Sequence, residues 1–443
     1  MSEILMSTAT ILNNLKIKSL NPMQLATQDA IVENKELVLL SNTGSGKTLA
    51  FLIPLIHSLD LNNLNQTQAL ILVPSRELAL QIESVLKQIQ PGCKISCCYG
   101  GHKREIEENN LIQAPTIVIA TAGRMADHLR RGNIKTTQIS FLVLDEFDKI
   151  LELGFQEEME YILSQLPSVK HKILTSATHA VEIPAFVKMN AVHTLNFLTD
   201  ENIDAIKLSI KRLHSPENDK IDTLFILICS LKDTSTIVFC NHRDAVERTH
   251  NLLLEKGILN VFYHGGMEQQ DRETALCKFR NKTSNVLITT DLASRGLDIE
   301  NVRSVVHYHL PLTEDAFTHR NGRTARMDAT GSVFVIFGPE EEMPDYIAGS
   351  SVVMALPTQY ELPEKPKWST LFIAAGKKDK INKIDIVGFL MQKGNLKKDE
   401  IGLIDVKDFS AFVAVRKSKI GQVIESVKDE KIKNKKVKIA IAR

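Results

Sequence analysis

The residue types and spacing that can hold phosphate groups occur near the N-terminus, in the stretch Ser41-Asn42-Thr43-Gly44-Ser45-Gly46-Lys47-Thr48. An apolar run at 37–40 predicts a buried strand before this stretch, and a run at 49–53 predicts a helix after it. The glycines let successive backbone N–H groups point at phosphate oxygens, and the helix N-terminus adds a favourable dipole. We therefore predict a nucleoside triphosphate site, with Lys47 at the outer phosphates and the Thr48 hydroxyl on Mg²⁺. A glycine-rich turn without a ligand is the alternative, and Ser41 stands where the first glycine of the pattern is usual.

Acidic residues follow a second predicted strand, 141–144. Mg²⁺ binds carboxylate oxygen but keeps most of its water ligands, so one aspartate suffices, and Asp145 is the candidate. Glu146 is placed to orient or deprotonate an attacking water. An exposed acidic turn is the alternative interpretation. Ser176 and Thr178 follow a further predicted strand at 172–175, where small hydroxyl residues are usually strand-end caps.

Three more loops that follow predicted strands carry Arg76, Gly101 and the pair Thr121 and Arg124. In a doubly wound sheet, ligands collect beyond the carboxyl ends of the strands, so we expect these loops on one rim. An arginine at the end of a strand is well placed to meet a phosphate backbone. Gln24, upstream of the glycine-rich stretch, offers a donor and an acceptor that suit the edge of adenine.

The second half of the chain contains five more predicted strands and no second phosphate loop; the strands are at 235–240, 260–263, 286–289, 302–308 and 331–337. Arg323 and Arg326 are three residues apart, so on a helix they project the same way. Delivered across a cleft to the nucleotide, they would act as arginine fingers on the γ-phosphate. A solvated basic helix face is the alternative. The predicted fold is α/β, with two tandem RecA-like, doubly wound parallel-sheet domains, ATP between them and RNA across the top.

The composition excludes several other classes of protein. With 443 residues, 43% hydrophobic and 24% charged, the chain predicts two or three globular domains and excludes a disordered or fibrous protein. No apolar run is long enough to cross a bilayer, and the N-terminus has no signal-peptide pattern, so no membrane partner is expected. The six cysteines form no Cys-x-x-Cys pair, which favours reduced thiols and a cytoplasmic location.

Basic residues are concentrated in the C-terminal tail. From Trp368 to the end there are 18 Lys and Arg against 9 Asp and Glu, although the net charge of the chain is only +1. Predicted strands at 371–374 and 411–415 flank a predicted helix at 383–392, which indicates a small RRM-like α+β domain. The strand at 411–415 lacks the full aromatic set, so we expect reduced base stacking and more binding by basic side chains. The candidates are Lys377, Lys378, Lys380, Arg416 and Lys417. A solvated charged face is the alternative.

The motifs together resemble those of the DEAD-box RNA helicases, in the order of that family, over about residues 15–340. They include Asp-Glu-Phe-Asp at 145–148, Ser-Ala-Thr at 176–178 and His-Arg-Asn-Gly-Arg at 319–323. The resemblance implies ATP-dependent local separation of RNA strands. It assigns adenine to Gln24, the nucleotide ribose to Asp298, coupling of hydrolysis to unwinding to Ser176 and Thr178, and RNA contacts to Arg76, Gly101, Thr121, Arg124, Arg272 and Thr290. The chain departs from the family pattern at Ala122, Phe147 and Ala325.

The tail resembles the RNA-binding domain of DbpA-type bacterial helicases, through Gly376-Lys377-Lys378, Ile401-Gly402-Leu403-Ile404-Asp405 and Ala414-Val415-Arg416-Lys417. This resemblance implies binding to a hairpin of 23S ribosomal RNA and action on pre-ribosomal particles during large-subunit assembly. We expect a monomer with domains at 1–205, 206–345 and 368–443 and a linker at 346–367. The alternatives are a general cold-shock or mRNA-remodelling helicase, an ATPase-deficient RNA-binding clamp, and a DNA-directed helicase.

Overall fold

A computed structural model describes residues 6–42, 44–101, 104–178, 183–189, 191–198, 208–291, 302–324, 331–349 and 351–442. The chain divides into two compact units, one built from its N-terminal half and one from its C-terminal half. No helix among the described residues is long and apolar enough to cross a membrane.

The first unit is built on a seven-stranded parallel sheet with the strand order β3-β4-β2-β5-β6-β1-β7. Its strands are β1 (Glu36–Ser41), β2 (Ala69–Val73), β3 (Ile95–Cys98), β4 (Ile117–Thr121), β5 (Phe141–Leu144), β6 (His171–Ser176) and β7 (His193–Phe197). The central strands are continuous apolar runs because both faces of a parallel sheet are covered by helices.

The helices described around this sheet are α1 (Thr8–Leu15), α2 (Pro22–Glu33), α3 (Lys47–His57), α4 (Arg76–Ile89), α5 (Arg104–Leu111), α6 (Ala122–Arg130), α7 (Phe147–Glu152) and α8 (Gln156–Ser164). One apolar core packs side chains of α2, α3 and α4 against the sheet. A second core packs those of α6, α7 and α8 against it. The unit is therefore a three-layer, doubly wound RecA-like domain.

The second unit contains another seven-stranded parallel sheet, in the order β10-β11-β9-β12-β13-β8-β14. The strands are β8 (Leu208–His214), β9 (Thr236–Cys240), β10 (Asn260–Tyr263), β11 (Val286–Thr290), β12 (Ser304–His307), β13 (Gly331–Phe337) and β14 (Val352–Val353). The described helices are α9 (Ile221–Leu231), α10 (Arg243–Glu255), α11 (Gln269–Arg280), α12 (Glu314–Asn321) and α13 (Asp345–Ala348). The segment predicted to be a linker differs from expectation at β14, which pairs with β8 and extends the sheet.

The tail forms a four-stranded antiparallel sheet in the order β16-β17-β15-β20. Its elements are β15 (Trp368–Ile373), α14 (Lys383–Gln392), β16 (Ile401–Val406), β17 (Ala411–Arg416), α15 (Ile420–Val427), β18 (Lys431–Ile432), β19 (Lys435–Lys436) and β20 (Ile439–Ile441). Leu371, Ile373, Val413 and Val415 belong to a core shared with the two helices. The order of strands and helices confirms the small RRM-like α+β domain.

The outer face of the tail sheet, on the side away from α14 and α15, packs against α11 of the second RecA-like domain. Phe412 and Ala442 form one buried apolar cluster with Cys277, and Phe372 packs against this cluster. The Phe412 ring is fully buried. An RRM uses aromatic rings on this face to stack bases, and here that face is covered by protein.

Polar contacts surround the apolar cluster. The Cys277 Sγ lies 3.5 Å from Asp405 Oδ2, and the Arg280 guanidinium lies 3.7 Å from the same carboxylate. The hydroxyls of Thr283 and Thr370 are 2.8 Å apart. The tail is therefore docked on α11 by a small interface with an apolar centre.

This docking predicts an inert cysteine. Burial, reinforced by the Asp405 carboxylate, raises the pKa of Cys277 to about 12, and a thiol must ionise before it can be alkylated. We expect Phe412→Ala to loosen the docking and to raise iodoacetamide labelling of Cys277 by about tenfold or more. Mass spectrometry of the labelled peptides measures the change.

Cys240, which is buried within β9 and whose pKa burial also raises to about 12, is the internal control. Labelling that rises equally at both cysteines would mean general unfolding. Labelling at Cys277 that stays unchanged would contradict the docking.

Candidate nucleotide and nucleic-acid sites

The glycine-rich stretch lies between β1 and α3, where the sequence predicts it, and its conformation depends on glycine. Gly46 has a φ of +94°, and a Cβ on it would come within 2.6 Å of Gln24 Nε2. Gln24 donates to the Gly46 carbonyl at 3.2 Å, while Asn21 donates to the Ser45 carbonyl at 2.9 Å. These two side chains at the start of α2 therefore hold the loop from one side.

Gln24 is itself fixed by a reciprocal cap. Its backbone N–H donates to Asn21 Oδ1, and its side-chain Oε1 accepts from the Asn21 backbone N–H, each at 2.9 Å. Such a capping box satisfies two helix-end donors at once. The sequence prediction for Gln24 did not include Asn21, although Asn followed three residues later by Gln is a recognisable start signal for a helix.

Lys47 is buried at the first position of α3. Its ammonium group donates to the carbonyl oxygens of Ser41 and Asn42, the latter at 2.9 Å. Thr48 follows it and is half-buried. A cation and a hydroxyl at the start of a helix, below a loop that curls around them, form a cradle for phosphate oxygens. Thr43 lies outside the described residues.

The two acidic candidates stand at the end of β5 and are fixed by a threonine on the neighbouring strand. The Thr175 hydroxyl donates to Asp145 Oδ1, and it accepts the backbone N–H of Glu146 at 3.0 Å. Glu146 has a φ of +50°, a backbone conformation that is unusual for residues other than glycine. Its Oε2 atom is buried and has no hydrogen-bond partner among the described residues. A buried carboxylate oxygen of this kind is suited to accept a proton from a bound water.

Thr175 is a site residue that the sequence prediction missed. The prediction named Ser176 and Thr178 instead, which bond to each other: the Thr178 N–H donates to Ser176 Oγ at 3.1 Å. β6 lies between β1 and β5, so its last residues separate the phosphate loop from the acids. A hydroxyl residue at the end of the strand between two site strands was the signal available in the sequence.

Burial controls the charge of Asp145. The carboxyl is almost completely buried, and this burial, with the Glu146 carboxylate beside it, raises its pKa to about 6. The Thr175 hydroxyl and the Lys47 ammonium act in the opposite direction. A divalent cation would favour the ionised form, since it would add positive charge beside the carboxylate.

The residues expected to face RNA in the first unit follow β2, β3 and β4. Gly101 has a φ of +101°, and the Arg76 guanidinium occupies the place that a Cβ on Gly101 would take. Val73 and Thr121 are partners at the ends of β2 and β4. The parallel sheet therefore brings Arg76, Gly101 and Thr121 to one edge, as the sequence predicts.

Arg124 is held in a buried polar network that the sequence did not reveal. The Glu107 carboxylate lies 3.0 Å from Arg124 Nη1 and 2.7 Å from His128 Nε2, and it accepts the Tyr99 N–H at 2.8 Å. Only 12% of the Arg124 side chain is exposed. Arg124 therefore anchors α5 to α6, and any RNA contact would use the small part of its guanidinium that stays exposed.

Cys98 completes a group of three possible metal ligands with Glu107 and His128, whose ligand atoms lie within 4.8 Å of one another. The ion pair between Glu107 and Arg124 already supplies positive charge there, and burial raises the pKa of Cys98 to about 12. A protonated thiol and a paired carboxylate are poor metal ligands. The group is a structural network.

In the second unit, the arginine best fixed is Arg320. Its guanidinium forms two bonds with the Asp291 carboxylate, at 2.6 and 2.7 Å, and donates to the Asn241 side chain at 2.8 Å. Arg323, predicted as a finger, is buried two residues beyond the end of α12. Arg320 thus ties α12 to the residues that follow β9 and β11. Asp298, Arg326 and Ala325 lie outside the described residues.

The two other RNA candidates of this unit are also buried. Arg272 donates to the Tyr263 hydroxyl at 2.6 Å, and its guanidinium lies 4.8 Å from the centre of that ring. Thr290 ends β11 with little exposure.

The five tail candidates lie at opposite ends of the tail sheet. Lys377, Lys378 and Lys380 follow the end of β15. Arg416 pairs with Trp368 at the other end, and its guanidinium stacks 4.5 Å from that ring. Six-residue strands separate the two groups by about 17 Å. The sequence prediction did not anticipate this separation.

Comparisons with known proteins agree with this arrangement. The DEAD/DEAH box helicase family matches residues 21–185, the helicase conserved C-terminal domain matches 219–328, and the DbpA RNA binding domain matches 370–441. The ATP-dependent RNA helicase DbpA of Escherichia coli is 31% identical, over 98% of this chain and 97% of its own length. The chain belongs to the DEAD-box ATP-dependent RNA helicases. DbpA of Bacillus subtilis is 30% identical over 93% of this chain and 92% of its own length.

Solved helicase structures share the fold. Saccharomyces cerevisiae Dbp5 bound to RNA and ADP BeF3 matches with a TM-score of 0.67 and 24% identity, over 79% of this chain and 94% of its own. Mss116p bound to ssRNA and AMP-PNP matches with a TM-score of 0.66 and 25% identity, over 76% of this chain and 73% of its own.

The DEAD-box family takes its name from Asp-Glu-Ala-Asp, and this chain has Phe147 in place of the alanine. The ring is fully buried in the core between α6, α7 and α8. Ala122, the second departure, is also buried, at the start of α6. Both departures therefore affect buried packing. The charged side chains Lys47, Asp145 and Glu146 are all present.

The raised pKa of Asp145 makes a prediction about stability. Between pH 4 and pH 6 the folded chain keeps a proton on Asp145 that the unfolded chain releases, so the free energy of unfolding falls as pH rises. Above pH 6 the full cost of the buried charge remains. We expect Asp145→Asn to stabilise the nucleotide-free chain by about 3 kcal/mol at pH 7.5 and by about 1 kcal/mol near pH 4.5. Thermal unfolding of both chains at the two pH values measures the difference.

Asp222→Asn removes an exposed carboxylate of the second unit and serves as the control. If Asp145→Asn destabilised the chain at pH 7.5, or if its effect did not depend on pH, the conclusion that ionised Asp145 destabilises the folded chain would be wrong.

Proposed function

We propose that the first unit binds ATP with Mg²⁺ at the β1–α3 loop and hydrolyses it to drive local separation of RNA strands. The observation that carries this proposal is the arrangement at the end of β5, where Thr175 orients Asp145 and Glu146 towards the edge of the sheet that also carries Lys47. The family of the chain supports the nucleotide and the reaction.

The residues present fit a magnesium ion. Asp145 supplies a buried carboxylate and Thr48 a hydroxyl, which are the oxygen ligands that Mg²⁺ prefers while it keeps several waters. The raised pKa of Asp145 fits as well, because a cation would compensate the buried charge. When bound, Mg²⁺ neutralises charge on the phosphate oxygens and so favours attack on the γ-phosphate.

The protein side chains then divide the remaining work. Lys47 and the backbone N–H groups of residues 44–48 hold the phosphates. Glu146 Oε2 accepts a hydrogen bond from the attacking water and takes its proton. Gln24 contacts adenine through the part of its amide not used in the loop. We propose Arg323 and Arg326 as arginine fingers on the γ-phosphate and Asp298 as a ligand of the ribose. Ser176 and Thr178 would couple hydrolysis to unwinding.

The role of Glu146 gives a direct test. Glu146→Gln keeps the size of the side chain but removes its basicity, so we expect ATP turnover to fall by at least about 100-fold while ATP still binds. Steady-state phosphate release and equilibrium binding of a fluorescent ATP analogue measure the two effects. Glu152→Gln, an exposed carboxylate of α7 that pairs with Lys149, is the matched control and should hydrolyse ATP normally. Unchanged turnover in Glu146→Gln would remove Glu146 from the mechanism.

We further propose that RNA binds along the edge of the first sheet at Arg76, Gly101, Thr121 and Arg124, and at Arg272 and Thr290 of the second unit. The tail would recruit a hairpin of 23S ribosomal RNA within pre-ribosomal particles. The match of residues 370–441 to the DbpA RNA binding domain and the excess of basic residues in the tail support this target. Tethering raises the local concentration of nearby duplexes for the helicase domains. We also propose that the protein is a monomer and that it acts in the cytoplasm.

Stimulation of ATP hydrolysis separates this target from general RNA remodelling. We expect large-subunit ribosomal RNA to stimulate hydrolysis more strongly than an unrelated RNA duplex, and DNA to stimulate it least. Deletion of the tail would uncover the apolar cluster at Cys277, so charge reversal is the cleaner variant. Lys377→Glu with Lys378→Glu should remove the preference for ribosomal RNA and leave hydrolysis without RNA unchanged.

Lys397→Glu with Lys398→Glu, at the opposite end of the tail sheet, makes the same change in net charge and is the control. Equal stimulation by every RNA would keep the helicase and discard the ribosomal target. Stimulation by DNA as strong as by RNA would favour a DNA-directed enzyme.

A further inference from the structure

Exposed lysines converge on one end of the tail domain, the end at which β15 and β16 finish and β17 begins. We call this the basic end; its exposed lysines are Lys377, Lys378, Lys380, Lys433 and Lys435. The last two belong to the β18–β19 hairpin, which the sequence analysis did not include among the candidates.

Hydrogen bonds join the three segments of the basic end. The backbone N–H groups of Lys377 and Lys378 donate to the carbonyls of Lys407 and Asp408, each at 2.9 Å. Lys433 Nζ donates to the Lys380 carbonyl at 2.9 Å, and Lys435 pairs with Asp379 at 3.1 Å. These bonds fix the relative positions of the lysines before any ligand arrives.

Phe409 stands at the tip of the turn between β16 and β17, beside these lysines. The Lys407 N–H donates to the Ser410 carbonyl at 2.8 Å, which closes the turn. Phe409 is 58% exposed, whereas Phe372 and Phe412 of the sheet pack on or near Cys277. Within residues 368–442, all of which the structure describes, Phe409 is the most exposed aromatic side chain.

A single exposed apolar residue is common on protein surfaces and has no meaning alone. Here the ring is held by a closed turn, the turn is tied to a lysine-bearing loop, and the rings that an RRM uses for stacking are covered. An aromatic platform flanked by lysines is the arrangement by which proteins hold single-stranded nucleic acid. Asp408, next to the ring, disfavours phosphate at the tip and leaves that place to a base.

We infer that the basic end binds a single-stranded segment of RNA, such as a hairpin loop, and that Phe409 stacks on one of its unpaired bases. Lys377 and Lys378 contact the neighbouring phosphates. This inference rests on the proposed RNA-binding function of the tail and adds a base-stacking residue to it. It also separates the loop-binding end from Arg416 and Lys417, which lie at the other end of the sheet.

Binding of a short RNA hairpin to the full chain tests the inference, with the fluorescent base 2-aminopurine placed at single loop positions. The native chain should quench the fluorophore at one position, because stacking quenches it. Phe409→Ala should abolish that quenching and weaken hairpin binding by about 10-fold. Phe409→Trp should retain both, and Phe409→Leu should lose the quenching although it remains apolar.

Controls make the outcomes distinct. Met391→Ala, another exposed apolar residue of the tail, should change nothing, and a blunt RNA duplex should bind Phe409→Ala and native chains equally. Native binding with no effect of Phe409→Ala overturns the stacking inference alone. A native chain that binds no RNA overturns the proposed function with it. Loss of binding to duplex and hairpin alike would assign Phe409 to the fold or to another contact, and would also overturn the inference.

Discussion

The parallel register of β1, β6 and β5 is the constraint on which the candidate nucleotide site depends. Because neighbouring parallel strands end at the same edge, Leu40 lies beside Ser176, and Leu144 lies beside Leu174. Strand pairing therefore brings the phosphate loop, the Thr175 hydroxyl and the two acids to the same edge. About 100 residues of sequence separate the loop from Glu146. Packing of apolar side chains on both faces of the sheet fixes this register.

Much of the fold could be predicted from the sequence, because buried parallel strands are continuous apolar runs. The predicted strands at 141–144 and 260–263 have the bounds that the structure shows. Among the strands that the sequence missed, β7 is mostly exposed, β8 mixes polar with apolar residues, and β14 has two residues. These strands carry no clear apolar pattern of their own, and their neighbours in the sheet determine their conformation.

For the site, the sequence revealed residues within continuous motifs and missed their supports. Lys47 follows β1 and Asp145 and Glu146 follow β5, and Gln24 contacts the glycine-rich loop from α2. Asn21, Thr175 and Glu107 were missed because each acts through a residue distant in sequence, and only the folded arrangement joins them. The covering of Phe412 by α11 could not be predicted either, since it depends on how one domain packs against another.

The docked tail has a consequence for experiments on isolated fragments. Cut away at the linker, residues 368–442 would expose the face that holds Phe372, Phe412 and Ala442, and α11 would expose Cys277. An apolar patch of that kind favours self-association. It would also offer RNA two aromatic rings that the whole chain conceals. An isolated fragment would thus bind RNA through its sheet face, as an ordinary RRM does. Measurements on it would describe a surface that the intact protein does not present.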